Sequence, residues 1–286
     1  MLTERSFEAG AVAINYAEGP EAGPPLVVLH GGSARWQYNR ALLEDLAARW
    51  HVYAPDLRGH GRSGHTHGHY RIADYADDIV GFLRAVVGAS AVLYGHSLGG
   101  TVAVLVAGRH PALVGSLIVG DAPLSAQAWP SPDDGVHREM LIRWRELAAS
   151  GQSVDAIAAA LRELPIAPAP REPTRRAGDV FGEDAPWFAD MAESLHRLDP
   201  DTLTPLLGDP GVMFAGYAAA TLLPAIRCPA LLLQADPAAG GLLSDDEVAR
   251  ALALLPRGSH VRLAGIGHPL RADLVRQAID TFLVSR

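Results

Sequence analysis

A-V-L-Y-G-H-S-L-G-G, residues 91–100, decides the fold of this chain: an apolar run ends in a glycine-flanked serine and passes straight into the Ala/Val-rich residues 98–109. The pattern Gly-x-Ser-x-Gly at 95–99 is weak on its own, since the glycine and serine content gives about 0.14 chance matches in a chain of this composition. Its setting is what carries the argument. A strand over 91–95, a sharp turn at Ser97 and a helix over 98–109 form the context that this motif requires. A serine on so tight a turn takes strained backbone angles, so its neighbours two residues away must lack side chains, and Gly95 and Gly99 do. The helix start then sets free N–H groups and a positive dipole end beside the serine. Ser97 is therefore the candidate nucleophile, against the plainer reading of a helix-capping serine.

Outward from this stretch, short apolar strands alternate with helical patterns. Residues 26–30 (L-V-V-L-H) and His51 to Ala54 read as strands, and 38–49 and Ile72 to Val87 as helices. A further strand is expected at 115–120. After a gap the alternation resumes, with strand 230–234, helix 245–255, strand 260–264 and helix 272–284. Continuous apolar strands alternating with helices predict an α/β fold, a parallel sheet covered on both faces. The alternating residues 11–17 predict an antiparallel edge strand. Residues 124–224 differ: they hold amphipathic helical patterns at 136–149 and 153–164 but no convincing apolar strand. They also hold a Pro/Arg-rich stretch at 165–176, read as a solvated linker or a loop of the insert. The expected organisation is a core of 1–123 and 225–286 with 124–224 inserted as a helical cap.

A serine nucleophile needs a base, and reacting groups in open α/β sheets gather at the carboxyl ends of strands. His268, after the strand at 260–264, stands at such an end; His260 begins that strand and falls on the opposite side. His96 adjoins Ser97 in the turn and is expected to point elsewhere, toward bound substrate. His65, His67 and His69 have no acidic companion nearby in sequence and read as a solvated loop, so no metal site is expected. The base needs an orienting carboxylate, and Asp121 and Asp236 each directly follow a strand. The oxyanion of the reaction needs preorganised N–H donors. Leu98 supplies one, and Gly32 or Ser33, in the loop H-G-G-S-A-R-W-Q (30–37), the other.

These residues together resemble the α/β-hydrolase superfamily: H-G-G at 30–32, D-L-R-G-H-G-R-S at 56–63, G-H-S-L-G-G at 95–100 and G-I-G-H at 265–268. The resemblance covers nearly the whole chain, with 124–224 as the lid. It implies an eight-stranded, mostly parallel sheet with one antiparallel strand. Dehalogenases and epoxide hydrolases of the superfamily carry aspartate at the nucleophile position, so Ser97 points to acyl transfer to water instead. The chain departs from the common pattern where the acid is expected: that position falls on Ala238, two residues beyond Asp236. Other members take the acid from the end of the preceding core strand, where Asp121 stands, and Asp121 is the favoured choice over Asp236.

Composition sets the remaining bounds. The chain has 286 residues, a formal net charge of −8 and one cysteine. The acidic balance argues against a general nucleic-acid partner, which needs clustered Lys and Arg. Cys228 alone forms no intrachain disulfide or thiolate cluster. No run of 18 apolar residues exists, and charges occupy the first ten residues where the apolar part of a cleaved signal would lie. A cytoplasmic monomer or homodimer without membrane association or cofactor is expected. Its partners are water and a small ester or lactone. Cap aromatics Trp129 and Trp144, with Trp36 from the 30–37 loop, are expected to line an apolar substrate pocket that favours bulky hydrophobic esters. A general likeness to serine-dependent macrolide esterases implies macrolide-type lactones as the extreme. The alternatives are a C–C or amide hydrolase using the same three residues, or a small-molecule receptor without turnover.

Overall fold

A computed structural model describes residues 1–129, 135–166 and 173–284, with the side chains of 135–137 excepted. Strands β1 (Thr3–Ala9), β2 (Val12–Glu18), β3 (Pro25–Leu29), β4 (His51–Pro55), β5 (Ala91–His96) and β6 (Val114–Gly120) lie in one sheet with two later strands. A separate two-stranded ribbon, β7 (Pro165–Ile166) and β8 (Arg175–Arg176), precedes β9 (Ala230–Ala235) and β10 (Gly258–Leu263), which complete the sheet. The order across the eight strands is β1-β2-β4-β3-β5-β6-β9-β10. Strand β2 is antiparallel to both neighbours, and every other pairing is parallel.

The inner strands are buried on both faces, so their side chains divide alternately between two cores. Val27, Leu29, Leu93, Leu117 and Val119 pack against α2 (Ile72–Phe82) and α3 (Leu98–Arg109). Leu26, Val28, Val92, Tyr94 and Ile118 pack on the other face, against α1 (Arg40–Leu46) and α12 (Ala272–Val284). The expected helix over 38–49 is a 3₁₀ turn at Trp36–Asn39 followed by α1, and that over 72–87 is α2 continued by a π turn at Leu83–Val87.

The expectation of an edge strand at 11–17 needs correction. β2 is antiparallel, but β1 pairs outside it along seven residues. β1 reads T-E-R-S-F-E-A and is mostly exposed. Its apolar anchor is Phe7, whose ring meets Phe82 edge-on at 6.2 Å. So polar a segment is held by the backbone ladder and carries almost no hydrophobic signal.

β9 pairs directly with β6, so the intervening chain leaves the sheet and returns to it. It forms α4 (Gly135–Ala149), α5 (Val154–Arg162), α6 (Ala177–Phe181), α7 (Pro186–Arg197), α8 (Thr204–Leu207), α9 (Pro210–Met213) and α10 (Ala219–Ala225). α11 (Asp245–Leu254) follows β9. Ile157, Leu161, Phe188, Leu195 and Leu203 make a third core belonging to this segment. The Pro/Arg-rich stretch begins and ends in the β7–β8 ribbon, where Arg176 pairs with Glu163, Asp179 and Glu183. Residues 167–172 of it lie outside the described residues.

Register brings the chemistry to one edge. Leu29 lies beside Gly95, His96 beside Gly120, and Gly120 beside Leu233. The residues that follow β3, β5, β6 and β9 therefore leave the sheet side by side.

Candidate active site

Ser97 turns the chain from β5 into α3 with φ 53° and ψ −121°. The turn is tight enough that a Cβ on Gly95 would lie 2.2 Å from Gly99 O, and one on Gly99 2.6 Å from the carbonyl oxygens of Leu29 and His30. Both contacts are with backbone, which cannot step aside. Only glycine fits at either position. Three non-glycine residues among those described have left-handed φ: Ser33 at 60°, Ser97 at 53° and Asp121 at 42°. Such angles cost about 1–3 kcal/mol each and persist where the surroundings impose them. All three lie on the loops that leave this edge.

The structure brings Ser97, His268 and Asp121 into one row. Ser97 Oγ and His268 Nε2 are 3.1 Å apart, and His268 Nδ1 and Asp121 Oδ2 are 2.7 Å apart. A buried carboxylate accepts, so Nδ1 carries the proton and Nε2 presents its lone pair to the serine hydroxyl. Asp121 is fully buried. Its oxygens also accept from the N–H groups of Ala235, Leu242 and Leu243 at 3.2, 2.9 and 3.1 Å. Burial pushes the Asp121 carboxyl up, but the hydrogen bonds from His268, Leu242 and Leu243 outweigh it and hold the group below the usual carboxylate range. It stays ionised beside the imidazole, as an orienting group must.

Asp236, the other candidate acid, is spent elsewhere. It accepts from Gly265 N at 2.9 Å, from Arg262 Nη2 at 2.9 Å and from Ala238 N at 3.0 Å. These bonds, Gly265 foremost, bring its carboxyl down to about 2. Its backbone N–H also donates to Ile266 O at 2.7 Å. Asp236 thus fastens the loop 264–267 that carries His268, and does not touch the imidazole.

His96, expected to point toward bound substrate, lines a small cavity with Tyr38, Asn39, Tyr94 and Leu270. It is 7% exposed, and its ring lies against that of His268 with centroids 4.7 Å apart. Nε2–H donates to the His268 carbonyl at 2.9 Å. Burial, then the neighbouring His268, bring its pKa down to about 3. The ring is thus neutral and adds no charge beside the His268 imidazole.

The loop after β3 abuts the serine: a Cβ on Gly31 would lie 3.3 Å from Ser97 Cβ, and one on Gly32 3.9 Å from Leu98 Cδ2. Among the described residues no group accepts from the N–H of Gly32, Ser33 or Leu98. His30 and Asp56, which sequence reading did not single out, hold this loop. His30 Nδ1–H donates to Gly31 O at 2.7 Å and Nε2 accepts from Leu57 N at 2.9 Å. Asp56 accepts from Trp36 N at 2.7 Å, Arg62 N at 3.0 Å and Asn15 Nδ2 at 2.8 Å. The signal available was their place in the two motifs themselves.

One aromatic assignment needs correction. Trp36 is buried among Leu42, Leu43 and Leu46 on the α1 face. Its indole N–H donates to Glu4 at 3.0 Å, and Arg40 stacks on its ring. Trp144 is half-buried and packs against the separate core of the 124–224 segment. Trp129 differs. It packs against the core that contains Leu98 and Leu124, with its ring 6.5 Å from Phe214.

The 65–69 loop does have an acidic companion, 130 residues on. Asp199 Oδ2 lies 3.1 Å from His67 Nδ1 and 3.8 Å from His65 Nδ1, and it accepts from Tyr70 at 2.5 Å. The loop is tied to the segment after α7 rather than merely solvated. Among the described residues no group of three His, Cys, Asp or Glu is placed to hold a metal, and no helix is long and apolar enough to cross a membrane.

Comparison with known proteins agrees with this architecture. A family model described as alpha/beta hydrolase fold matches residues 24–268. The 2-(acetamidomethylene)succinate hydrolase of Mesorhizobium japonicum is 35% identical over 117 residues, which are 41% of this chain and 42% of the relative. The 2-hydroxymuconate semialdehyde hydrolase of a Pseudomonas strain is 37% identical over 109 residues, 36% of this chain and 38% of the relative. The chain therefore aligns with well under half the length of these curated relatives. Among solved structures, an N-formylmaleamic acid deformylase from Pseudomonas putida superimposes with a TM-score of 0.75 at 19% identity, covering 97% of this chain and 99% of that one. An enol-lactonase from Burkholderia xenovorans does so with 0.72 at 20% identity, covering 98% and 100%. At such identities these likenesses speak to fold alone. Because the family match spans most of the chain and the strand order agrees with it, the protein belongs to the alpha/beta hydrolase fold family.

Proposed function

We propose that the protein is a serine hydrolase of carboxylic esters, acting through an acyl-enzyme on Ser97 with His268 as acid/base and Asp121 as orienter. The observation that carries this reading is the hydrogen-bonded row from Ser97 Oγ through the His268 imidazole to Asp121. Ser97 Oγ attacks the acyl carbonyl while its proton passes to His268 Nε2. Leu98 N–H and Gly32 or Ser33 N–H receive the developing oxyanion, each such donor typically worth about 3–4 kcal/mol of barrier. His268 then protonates the departing alkoxide. Next it takes a proton from water, which attacks the acyl-enzyme and frees Ser97. No metal or organic cofactor has a step in this scheme.

Residues 124–224 serve as the cap, whose half-buried Trp129 packs against the core that holds Leu98, Leu124 and Phe214 and offers an apolar surface. That surface supports acyl or alcohol groups with an apolar body, lactones included. The relatives named for hydrolysis of 2-(acetamidomethylene)succinate and 2-hydroxymuconate semialdehyde favour a second reading, cleavage of an amide or C–C bond by the same three residues.

Steady-state turnover of 4-nitrophenyl butyrate by wild type and Ser97→Ala tests the proposal. The variant should lose at least about three orders of magnitude in kcat. A folded Ser97→Ala protein with more than about a tenth of wild-type kcat contradicts it. If wild type turns over amide or vinylogous diketone substrates but not esters, the second reading replaces the first.

A further inference from the structure

Arg35 lies three residues beyond Gly32, on the loop that abuts Ser97, and its side chain is only 12% exposed. A guanidinium this enclosed ordinarily uses its five N–H donors, because leaving them unmet after desolvation is costly. Here Nε is buried with no partner among the described residues. Glu193 and Asp190 of α7 and the buried Asp56 all act on it through space, but none is hydrogen-bonded to it: the nearest ion-pair contact, Asp190, stands 3.6 Å from Nη2, beyond hydrogen-bond length. Asp190 is itself largely exposed, so it gives Arg35 loose compensation from across the boundary between the sheet's loops and the cap. Ser33, two residues earlier on the same loop, also has a buried Oγ without a partner. With Gln37 Oε1 and Asn39 Nδ2, the described residues 33–39 thus hold four buried polar atoms without a partner, and Arg35 carries the cationic one. Unmet buried groups in a folded protein call for an explanation, and a polar ligand beside the serine is one that meets them.

We propose that Arg35 is a specificity-determining residue that receives a carboxylate carried by the substrate, through the planar fork that suits carboxylate geometry. The inference rests on the serine-hydrolase reading of the site and narrows its substrate class to anionic esters or amides. Asp190 acts as the placeholder: it faces the guanidinium without a hydrogen bond and gives way to the substrate's carboxylate. The alternative role for Arg35, a tie between loop and cap, would make Asp190 a partner whose loss harms all substrates equally.

The test compares 4-nitrophenyl half-esters of adipic, pimelic and suberic acids with their neutral methyl diesters. It adds the butyrate ester of 4-hydroxybenzoate and that of its methyl ester, so that a carboxylate on either side of the scissile bond is sampled. Wild type should prefer one of the charged series. Arg35→Gln should lower kcat/KM on that series by at least about tenfold, chiefly through KM, and leave neutral esters within about threefold. Asp190→Asn should leave the charged series unchanged or faster. Binding of the preferred half-ester to the Ser97→Ala protein, followed by calorimetry, should vanish with the added Arg35→Gln change. Equal losses on charged and neutral esters, no preference by wild type, or undiminished binding without Arg35 overturns the proposal. A Ser97→Ala protein that still turns over esters would instead overturn the reading beneath it.

Discussion

Ser97, Asp121 and Ser33 hold their backbones at positive φ. Asp121 N–H donates to Leu233 O at 2.8 Å while its carboxylate reaches back to three N–H groups, so the residue is pinned from both ends. Place in the strand order, more than the local motif, brings this carboxylate to the His268 imidazole. Asp121→Asn should reduce kcat by about three to four orders of magnitude, since an amide in its place favours the wrong imidazole tautomer. Asp236→Asn should cost no more than about tenfold, because its acceptor oxygen still holds part of the 264–267 loop. Kinetics of both variants, with circular dichroism to show that they fold, check the ranking. If Asp236→Asn proved the worse, the role of Asp121 would be wrong.

At the scale of elements, the strand–turn–helix at 91–109 was legible because every requirement of it is local. It needs an apolar run, two glycines with no room for a Cβ, and a helix former beyond them. Gly99→Ala should destabilise the protein by several kcal/mol or prevent folding, since its methyl would meet the Leu29 and His30 carbonyls at 2.6 Å. A denaturation midpoint equal to wild type would contradict the close packing described. β1 was not legible, because a ladder held by backbone bonds leaves no periodic apolar signal in T-E-R-S-F-E-A. The aromatic residues were legible as apolar but not as to direction. Trp36 is held by its indole bond to Glu4, 32 residues away, and by the leucines of α1, and Trp144 packs against the core of the 124–224 segment. The unmet guanidinium of Arg35 belongs to the same class: it exists only once α7 lies opposite.

Across the whole molecule, three histidines are buried at the carboxyl edge in neutral form. Desolvation brings His30 down to about 4 and His60 and His96 down to about 3. All three bind protons more readily in the unfolded chain. Their contribution to stability is therefore fully present above about pH 6.5 and is lost as pH falls from there toward 4 and then 3. Asp56, Asp78 and Glu247, whose carboxyls burial raises, oppose part of this slope. A difference measurement isolates the histidine share. In urea unfolding at pH 5 to 6, His60→Asn should reduce proton uptake by about one proton relative to wild type. An unchanged slope would mean that His60 is protonated in the folded protein.

The central claim is that Ser97 is a nucleophile activated by His268. Treatment with a fluorophosphonate, followed by intact-mass and peptide mass spectrometry, tests it whatever the natural substrate is, because the reagent reacts with the activated hydroxyl itself. The account predicts one adduct per chain, located on Ser97, formed slowly or not at all when His268 is replaced by alanine. Labelling at another residue, or none at Ser97 in a preparation that hydrolyses esters, would contradict it.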